Sequence, residues 1–294
     1  MSDMSDTANL PVISLQAEDA EDAVSLSQEA GWNQTPEDWR FMIASGEAVG
    51  LRTGDGQLIA TALTMPHGPD FAWISMILVT GDFQRQNIAS RLMNQLIENI
   101  QTQGQIPGLD ATPAGKSVYV PLGFQPIYEL SRWQAPEPGW AAPAAVPGGL
   151  TVQTATVADL DDIVTWDRAR FGGERGDLIA HLMQRCPDKA LLARRDADGS
   201  LAGYVLARDG RENLQIGPLV ADNEQIAIDL LDKSLGLANG PVYIDVPDTQ
   251  EMLSAWIKSR GFTVQRPFTR MFIGRSTPFD QPQHIFAIAG PELG

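Results

Sequence analysis

LVTGDFQRQNIASRLMNQLIENI, Leu78–Ile100, is the stretch on which the fold turns. It closes a branched and aromatic run, FAWISMILV (Phe71–Val79), that reads as a strand. A short loop carrying Gly81 follows, and the apolar positions Ile88, Leu92, Met93, Leu96, Ile97 and Ile100 then recur at helical spacing, marking one buried face. A strand therefore runs through a short loop into a helix. The first amides of a helix lack intrahelical acceptors and sit at the positive end of its dipole, so residues Gln84 to Ser90 offer a seat for a pyrophosphate. Small Ala89 and Ser90 let an anion approach the backbone, and Arg85 and Arg91 add positive charge. An ordinary strand-helix connection supplies the same amides, so the segment by itself leaves both readings open.

Upstream, PVISLQ reads as a strand and AEDAEDAVSLSQEAG as a helix opening on acids near its positive end. In TPEDWRFMIASG, Thr35 is placed to cap a second helix with Pro36 at its first position. The runs EAVGLRT, LIATALTM and FAWISMILV, separated by GDGQ and PHGPD turns, predict an antiparallel meander. A strand near Gln105–Asp110, a helix near Pro113–Leu122 and a strand near Phe124–Trp133 finish this half. The segment Gln134–Gly149 contains four prolines and breaks every periodic pattern, as a linker does. The same order then recurs: LTVQTAT, helices near Val157–Arg170 and Asp177–Arg185, strands ALLARR, LAGYVLAR and LQIGPLVA, then helix, strand YIDVP, helix and strand TVQRPFTRMFIG. The expected class is α/β (α+β), two tandem domains, each a mixed bent sheet flanked by helices. The expected divisions are a flexible N-terminus (1–10), a first domain (11–133), the linker (134–149), a second domain (150–274) and a partly docked C-terminal extension (275–294).

Length and composition narrow the function. A chain of 294 residues with 43% hydrophobic content fills one large or two ordinary cores. A net charge of −16 argues against nucleic acid and anionic membrane surfaces, since each phosphate contact asks for Lys or Arg. The charge either keeps the protein soluble or attracts a cationic substrate such as an amine. No run approaches the roughly 20 apolar residues of a membrane helix, and the N-terminus, MSDMSDTANL, is acidic where a secretory signal is basic, so a cytoplasmic protein is expected. One cysteine, Cys186, excludes an intramolecular disulfide, and His67, His181 and His284 lack zinc-ligand spacing, so no metal is expected.

The loop resembles the pyrophosphate loop of the GNAT acetyltransferase superfamily: a Gln or Arg, two variable residues, Gly, one variable residue, then Gly or Ala. Gln84, Asn87 and Ala89 occupy those positions, and Val79 stands where the family ends its strand on valine. Asn87 departs from the usual glycine, although Asn tolerates unusual backbone angles. A second match, LDATPAGKSVYVPLGF (Leu109–Phe124), lies at the family's distance downstream and ends in its Tyr, three residues, Gly-Phe pattern. The resemblance implies acetyl-CoA as co-substrate, held by Ile77, Leu78, Val79, Gln84, Arg85, Gln86, Asn87, Ile88, Ala89 and Ser90, with Thr112 and Gly115 beside the pantetheine arm. It implies that Tyr119 protonates the departing thiolate, a task suited to a phenol of pKa about 10; a packed aromatic is the plainer alternative. The strand WISMILV carries no acid where many relatives keep a glutamate base, leaving a water chain, a carboxylate such as Asp70 or an easily deprotonated substrate.

Trp32, Asn33 and Trp39 lie where the family's first helices line its acceptor pocket, and Trp73 is a further candidate on the substrate side, though core packing explains tryptophans equally well. The second half resembles the C-terminal domain of a bacterial group of tandem GNAT proteins through WDRARFGGERGDLI, IGPLVA, YIDVP and RPFTRMFIG. Its counterpart of the pyrophosphate loop reads GPLVADNEQIA, acidic and without the small-residue pattern, so coenzyme is expected in the first half alone. Asp167, Phe171, Gly172, Arg175, Asp245 and Arg270 form either a polar acceptor site or an ion-pair network. The expected function is N-acetyl transfer from acetyl-CoA to the amine of a small molecule by direct attack, without Cys186 as nucleophile, in a monomer or homodimer. The alternative is a non-catalytic sensor of acetyl-CoA or another metabolite.

Overall fold

The computed structural model describes residues 7–136 and 148–294. Contacts divide the chain into two compact units at Leu109. The first holds β1 (Val12–Ser14), α1 (Ala20–Glu29), α2 (Pro36–Ser45), β2 (Glu47–Arg52), β3 (Leu58–Pro66), β4 (Phe71–Val79) and α3 (Ile88–Thr102), and β5 (Ile106–Ala111) begins in it. The predicted meander forms: β1 to β4 pair antiparallel in sequence order, and α3 then carries the chain over to pair β5 parallel to β4. Ile88, Leu92, Met93, Leu96 and Ile100 of α3 are buried. At the start of α2 the Asp38 amide donates to Thr35 Oγ1 (3.3 Å) while the Thr35 amide donates to the Asp38 carboxylate (2.7 Å), a capping box ahead of Pro36.

Strand β4 is kinked. Met76 has φ 53°, a left-handed value that a non-glycine residue holds only when its surroundings compel it. Thr61 Oγ1 donates to Met76 O at 2.8 Å, and the β3–β4 register shifts between Thr61 and Leu63. The parallel pairing of β4 with β5 runs from Phe71–Ile106 to Trp73–Gly108 and stops short of the kink. Backbone groups of β4 beyond Trp73 are thus released from β5, as a bulge does at a ligand site.

The second unit holds α4 (Pro113–Tyr119), β6 (Phe124–Ala135), β7 (Leu150–Thr154), α5 (Leu160–Phe171), α6 (Gly176–Arg185), β8 (Leu191–Arg195), β9 (Leu201–Arg208), β10 (Leu214–Ala221), α7 (Glu224–Leu235), β11 (Val242–Pro247), α8 (Glu251–Ser259), β12 (Thr263–Ile273) and β13 (Ile285–Ala287). Its strands run in the order β12-β6-β11-β10-β9-β8-β7, with β13 added to β10. The core gathers Ile216, Leu219, Leu230, Leu231, Ile244, Leu253, Ile257 and Phe286. Strand β6, which the sequence places at the end of the first domain (11–133), pairs antiparallel with β11 on one side and β12 on the other. Two ladders of β-sheet hydrogen bonds outweigh chain proximity, so contacts divide the molecule before this strand and not after it. Most of the predicted linker, residues 137–147, lies outside the described residues, as do residues 1–6. The segment after Gly274, expected as a partly docked extension, supplies β13 and the buried residues Ile285 to Ala289.

Candidate functional site

The start of α3 is built to stay open. Asn87 is its N-cap with φ 60° and ψ 11°, and its side chain makes no cap hydrogen bond. The first helical bond is closed by the Arg91 amide on Asn87 O at 3.0 Å, and the amides of Ile88, Ala89 and Ser90 donate to no acceptor among the described residues. No acid occupies the first turn. Arg85, also left-handed at φ 62°, is exposed and holds no ion pair among the described residues. Gln84 ties the loop to the strand end by donating from Nε2 to Val79 O (3.0 Å). Uncapped amides, the positive helix end and a cation beside them make a seat for an anion. The departure from glycine at Asn87 is thereby accounted for, because Asn is among the residues that adopt this conformation most readily.

Two predicted contributors are otherwise engaged. Gln86 accepts from Thr7 Oγ1 (2.7 Å), and Arg91 donates to the carbonyls of Thr7 and Leu10 (3.3 and 2.7 Å). These side chains hold the N-terminal segment against the loop. In β4, Ile77 and Val79 are half-buried and Leu78 is buried. Ser75, beside the Met76 kink, is buried with no hydrogen bond to its Oγ among the described residues.

In the second unit, Thr112 caps α4 by accepting from the Gly115 amide at 3.1 Å. The absent side chain at Gly115 makes room for the Tyr119 ring, which a Cβ there would meet at 2.8 Å. Tyr119 packs tilted on Phe124 at 6.0 Å, and its hydroxyl has no hydrogen bond among the described residues. Burial pushes its pKa up to about 12, so the phenol is a proton donor across the physiological range. Burial likewise raises the Cys186 thiol, against a role as nucleophile.

Two family models described as acetyltransferase (GNAT) domain match the chain, one over residues 16–132 and another over residues 163–287. The chain belongs to the GNAT acetyltransferase family. Two GNAT domains in tandem account for the repeated order of elements, and acyl transfer is the chemistry of the family. The chain is 24% identical over 284 residues to YitH, an uncharacterized N-acetyltransferase of Bacillus subtilis, covering 96% of this chain and 98% of that protein. Its fold is similar to a candidate acetyltransferase from Pyrococcus horikoshii (TM-score 0.79, 19% identity, covering 100% of this chain and 99% of that one). It is also similar to a tandem GNAT protein from the clavulanic acid biosynthesis pathway (TM-score 0.66, 15% identity, 90% and 98%).

The other polar and aromatic residues singled out in this GNAT sequence fall into separate places. Trp39 is fully buried with its Nε1 donating to Ser27 Oγ (2.9 Å), and Trp73 is fully buried beside His67, so both are core side chains. Asn33 is buried and Trp32 half-buried in the connection between α1 and α2. Asp167 and Arg175 pair with each other, Asp245 pairs elsewhere, and Phe279 lies between Phe171 (5.1 Å) and the Arg270 guanidinium (5.6 Å). Arg175 grips Asp167 with two hydrogen bonds (2.9 and 2.8 Å), Tyr204 OH donates to the same carboxylate (2.6 Å), and the guanidinium lies 3.8 Å over Phe171. Asp245 is instead gripped by Arg132 (2.8 Å twice) and Gln215 (3.0 Å). Arg270 belongs to a third cluster with Asp110, Tyr128 and Asp280. These side chains are buried and paired with one another; Arg132 and Asp110, the latter inside the Leu109–Phe124 motif, were not singled out because no local pattern names a partner so far along the chain. Among the described residues no His, Cys, Asp and Glu group could hold a metal ion, and no helix is long and apolar enough to cross a membrane.

Proposed function

We propose that this chain is an N-acetyltransferase that moves an acetyl group from acetyl-CoA to the amine of a small molecule by direct attack, with the coenzyme held by the first domain. The observation that carries this is the open start of α3: Asn87 in the left-handed conformation, three unpaired amides behind it, no acid in the turn and the exposed Arg85 alongside.

The residues fit the coenzyme's chemistry. Acetyl-CoA supplies an activated acyl group as a thioester. The Ile88, Ala89 and Ser90 amides and Arg85 bind the pyrophosphate, and Gln84 holds the loop closed against Val79 O. The backbone of β4 from Ile77 to Val79, released from β5, binds the pantetheine amides. Thr112 and Gly115 set the direction of α4, and Tyr119 donates its proton to the sulfur as that atom develops charge. Trp32 and Asn33 contribute to the acceptor side.

The test is release of free thiol from acetyl-CoA over a panel of small amines, run beside calorimetric titration with the coenzyme. Binding at one site per chain with amine-dependent thiol release is the expected result. Binding without release from any amine would favour the sensor, and no binding would remove the coenzyme from the reading.

A further inference from the structure

The second unit repeats, within itself, the arrangement that leaves β4 open in the first. Strand β10 is the third of an antiparallel meander with β8 and β9, α7 carries the chain over, and β11 pairs parallel to β10. That parallel pairing runs from Leu214–Val242 to Ile216–Ile244 and stops, just where the β9–β10 register shifts between Ile216 and Leu219. The released edge of β10 is not left open. Strand β13 lies antiparallel along it, with Leu219 opposite Ala287 and Val220 opposite Ile285. The next residue, Ile288, donates its amide to Asp245 O of β11 at 3.0 Å. The chain's own tail is thus hydrogen-bonded to both sides of the cleft.

The fit is close and specific. A Cβ at Gly217 would overlap Ile288 O, and one at Gly172 would overlap Phe279 O. Gln250 Nε2 donates to Pro282 O and Ile285 O (2.7 and 2.9 Å), and Arg208 pairs with Glu292, both buried. The start of α7 is closed as well. Asn223 caps the Ile226 amide at 3.1 Å, and Glu224 sits in the first turn with its carboxylate on the Leu253 amide (2.6 Å). A cleft of about 450 Å³ beside it is lined by Asp222, Glu224 and the tail residues Gln283 and Phe286, so the tail forms part of its wall.

We infer that residues Ile285–Ile288 are a permanent intramolecular occupant of the second domain's coenzyme-type cleft, limiting the chain to one coenzyme site. The coenzyme part of this rests on the proposed function; the occupancy of the cleft does not. β-Augmentation by a tethered segment needs no free ligand, because its effective concentration is set by the tether.

Hydrogen exchange of the full-length protein tests it. Amides of residues 285–289 are expected to exchange as slowly as those of β10, with no change at saturating acetyl-CoA. Gly217→Ala is expected to speed exchange in this segment at least tenfold; should that variant fail to fold, Gln250→Ala is expected to do so by severalfold. A tail that exchanges at the rate of unstructured chain, a tail loosened by acetyl-CoA, or two coenzyme sites by calorimetry would each overturn the inference. So would unchanged exchange in both variants. Failure to bind any coenzyme would strike only the proposed function, since slow exchange of the tail without ligand still decides whether the cleft is occupied.

Discussion

Arg270 grips Asp110 with a two-pronged hydrogen bond, Nε to Oδ1 at 2.9 Å and Nη2 to Oδ2 at 2.8 Å, across 160 positions of sequence. Both side chains are buried, and Arg270 also donates to Tyr128 OH (2.9 Å), which in turn donates to Asp280 (2.6 Å). Burial holds the Asp110 carboxyl above its usual range even with the guanidinium beside it, so the charge there depends on that one partner. Arg270→Leu leaves two buried carboxylates without their cation and is expected to cost about 3–5 kcal/mol. Arg270→Lys keeps the charge but loses the fork and should recover only part of it. Urea unfolding midpoints of the two variants check the order; equal midpoints for wild type and Arg270→Leu would show the cluster to be energetically idle.

Tyr119 yields a prediction with a definite pH direction. Its folded pKa, about 12, lies above that of a free phenol, so any stability it lends is fully present below about pH 10 and is lost as pH rises through 12. At pH 10.5 the tyrosinate absorbance difference between wild type and Tyr119→Phe should be close to zero, where an ordinary tyrosine would be mostly ionised. If the phenol is the acid, Tyr119→Phe should lower kcat by about a hundredfold while leaving the coenzyme dissociation constant unchanged. Equal turnover would return Tyr119 to the role of packing partner for Phe124.

Asn87 separates backbone conformation from side-chain chemistry. At φ 60° glycine fits without strain, so Asn87→Gly should preserve stability and bind acetyl-CoA at least as tightly. Asn87→Val forces a β-branched residue into the same conformation and should cost about 1–2 kcal/mol, with coenzyme binding weakened about tenfold. Thermal unfolding and calorimetry on the pair decide it. A glycine variant that binds more weakly would mean that the Asn side chain itself contacts the ligand.

The fold was legible wherever a local pattern carried it. The spacing of Ile88, Leu92, Met93, Leu96 and Ile100 placed α3, and Thr35 with Pro36 placed α2, because helix periodicity and capping are properties of neighbouring residues. The loop before α3 was placed for the same reason, but not the engagement of Gln86 and Arg91 with the N-terminal segment, which depends on residues about 80 positions away. What escaped depends on residues far apart. Nothing near Phe124–Ala135 says that this strand pairs with β11 and β12, and nothing near Ile285 says that it completes an edge of β10. The segment after Gly274 read as a partly docked extension, since Pro278 and Pro282 break periodicity and nothing local shows what the segment docks on. The acidic and basic side chains of WDRARFGGERGD were visible, but only the fold shows that Arg175 closes on Asp167 and that Asp245 belongs to Arg132. The kink at Met76 had no local sign at all, a methionine at positive φ being compelled by the neighbouring strand through Thr61.

Ser75 stands next to that kink, and its hydroxyl is the buried polar group of β4 with no hydrogen bond among the described residues. A buried hydroxyl without a partner costs about 1–3 kcal/mol, so Ser75→Ala should leave the unfolding midpoint unchanged or raise it. If the hydroxyl is kept because an amine uses it, the same variant should raise KM for the amine severalfold while kcat and coenzyme affinity stay near wild type, the pattern of a lost binding contact. A stabler protein with unimpaired kinetics would make Ser75 a relic of the strand's packing. A drop in stability beyond about 1 kcal/mol would show instead that the hydroxyl is partnered in solution, by a water or by Met76's own displaced backbone.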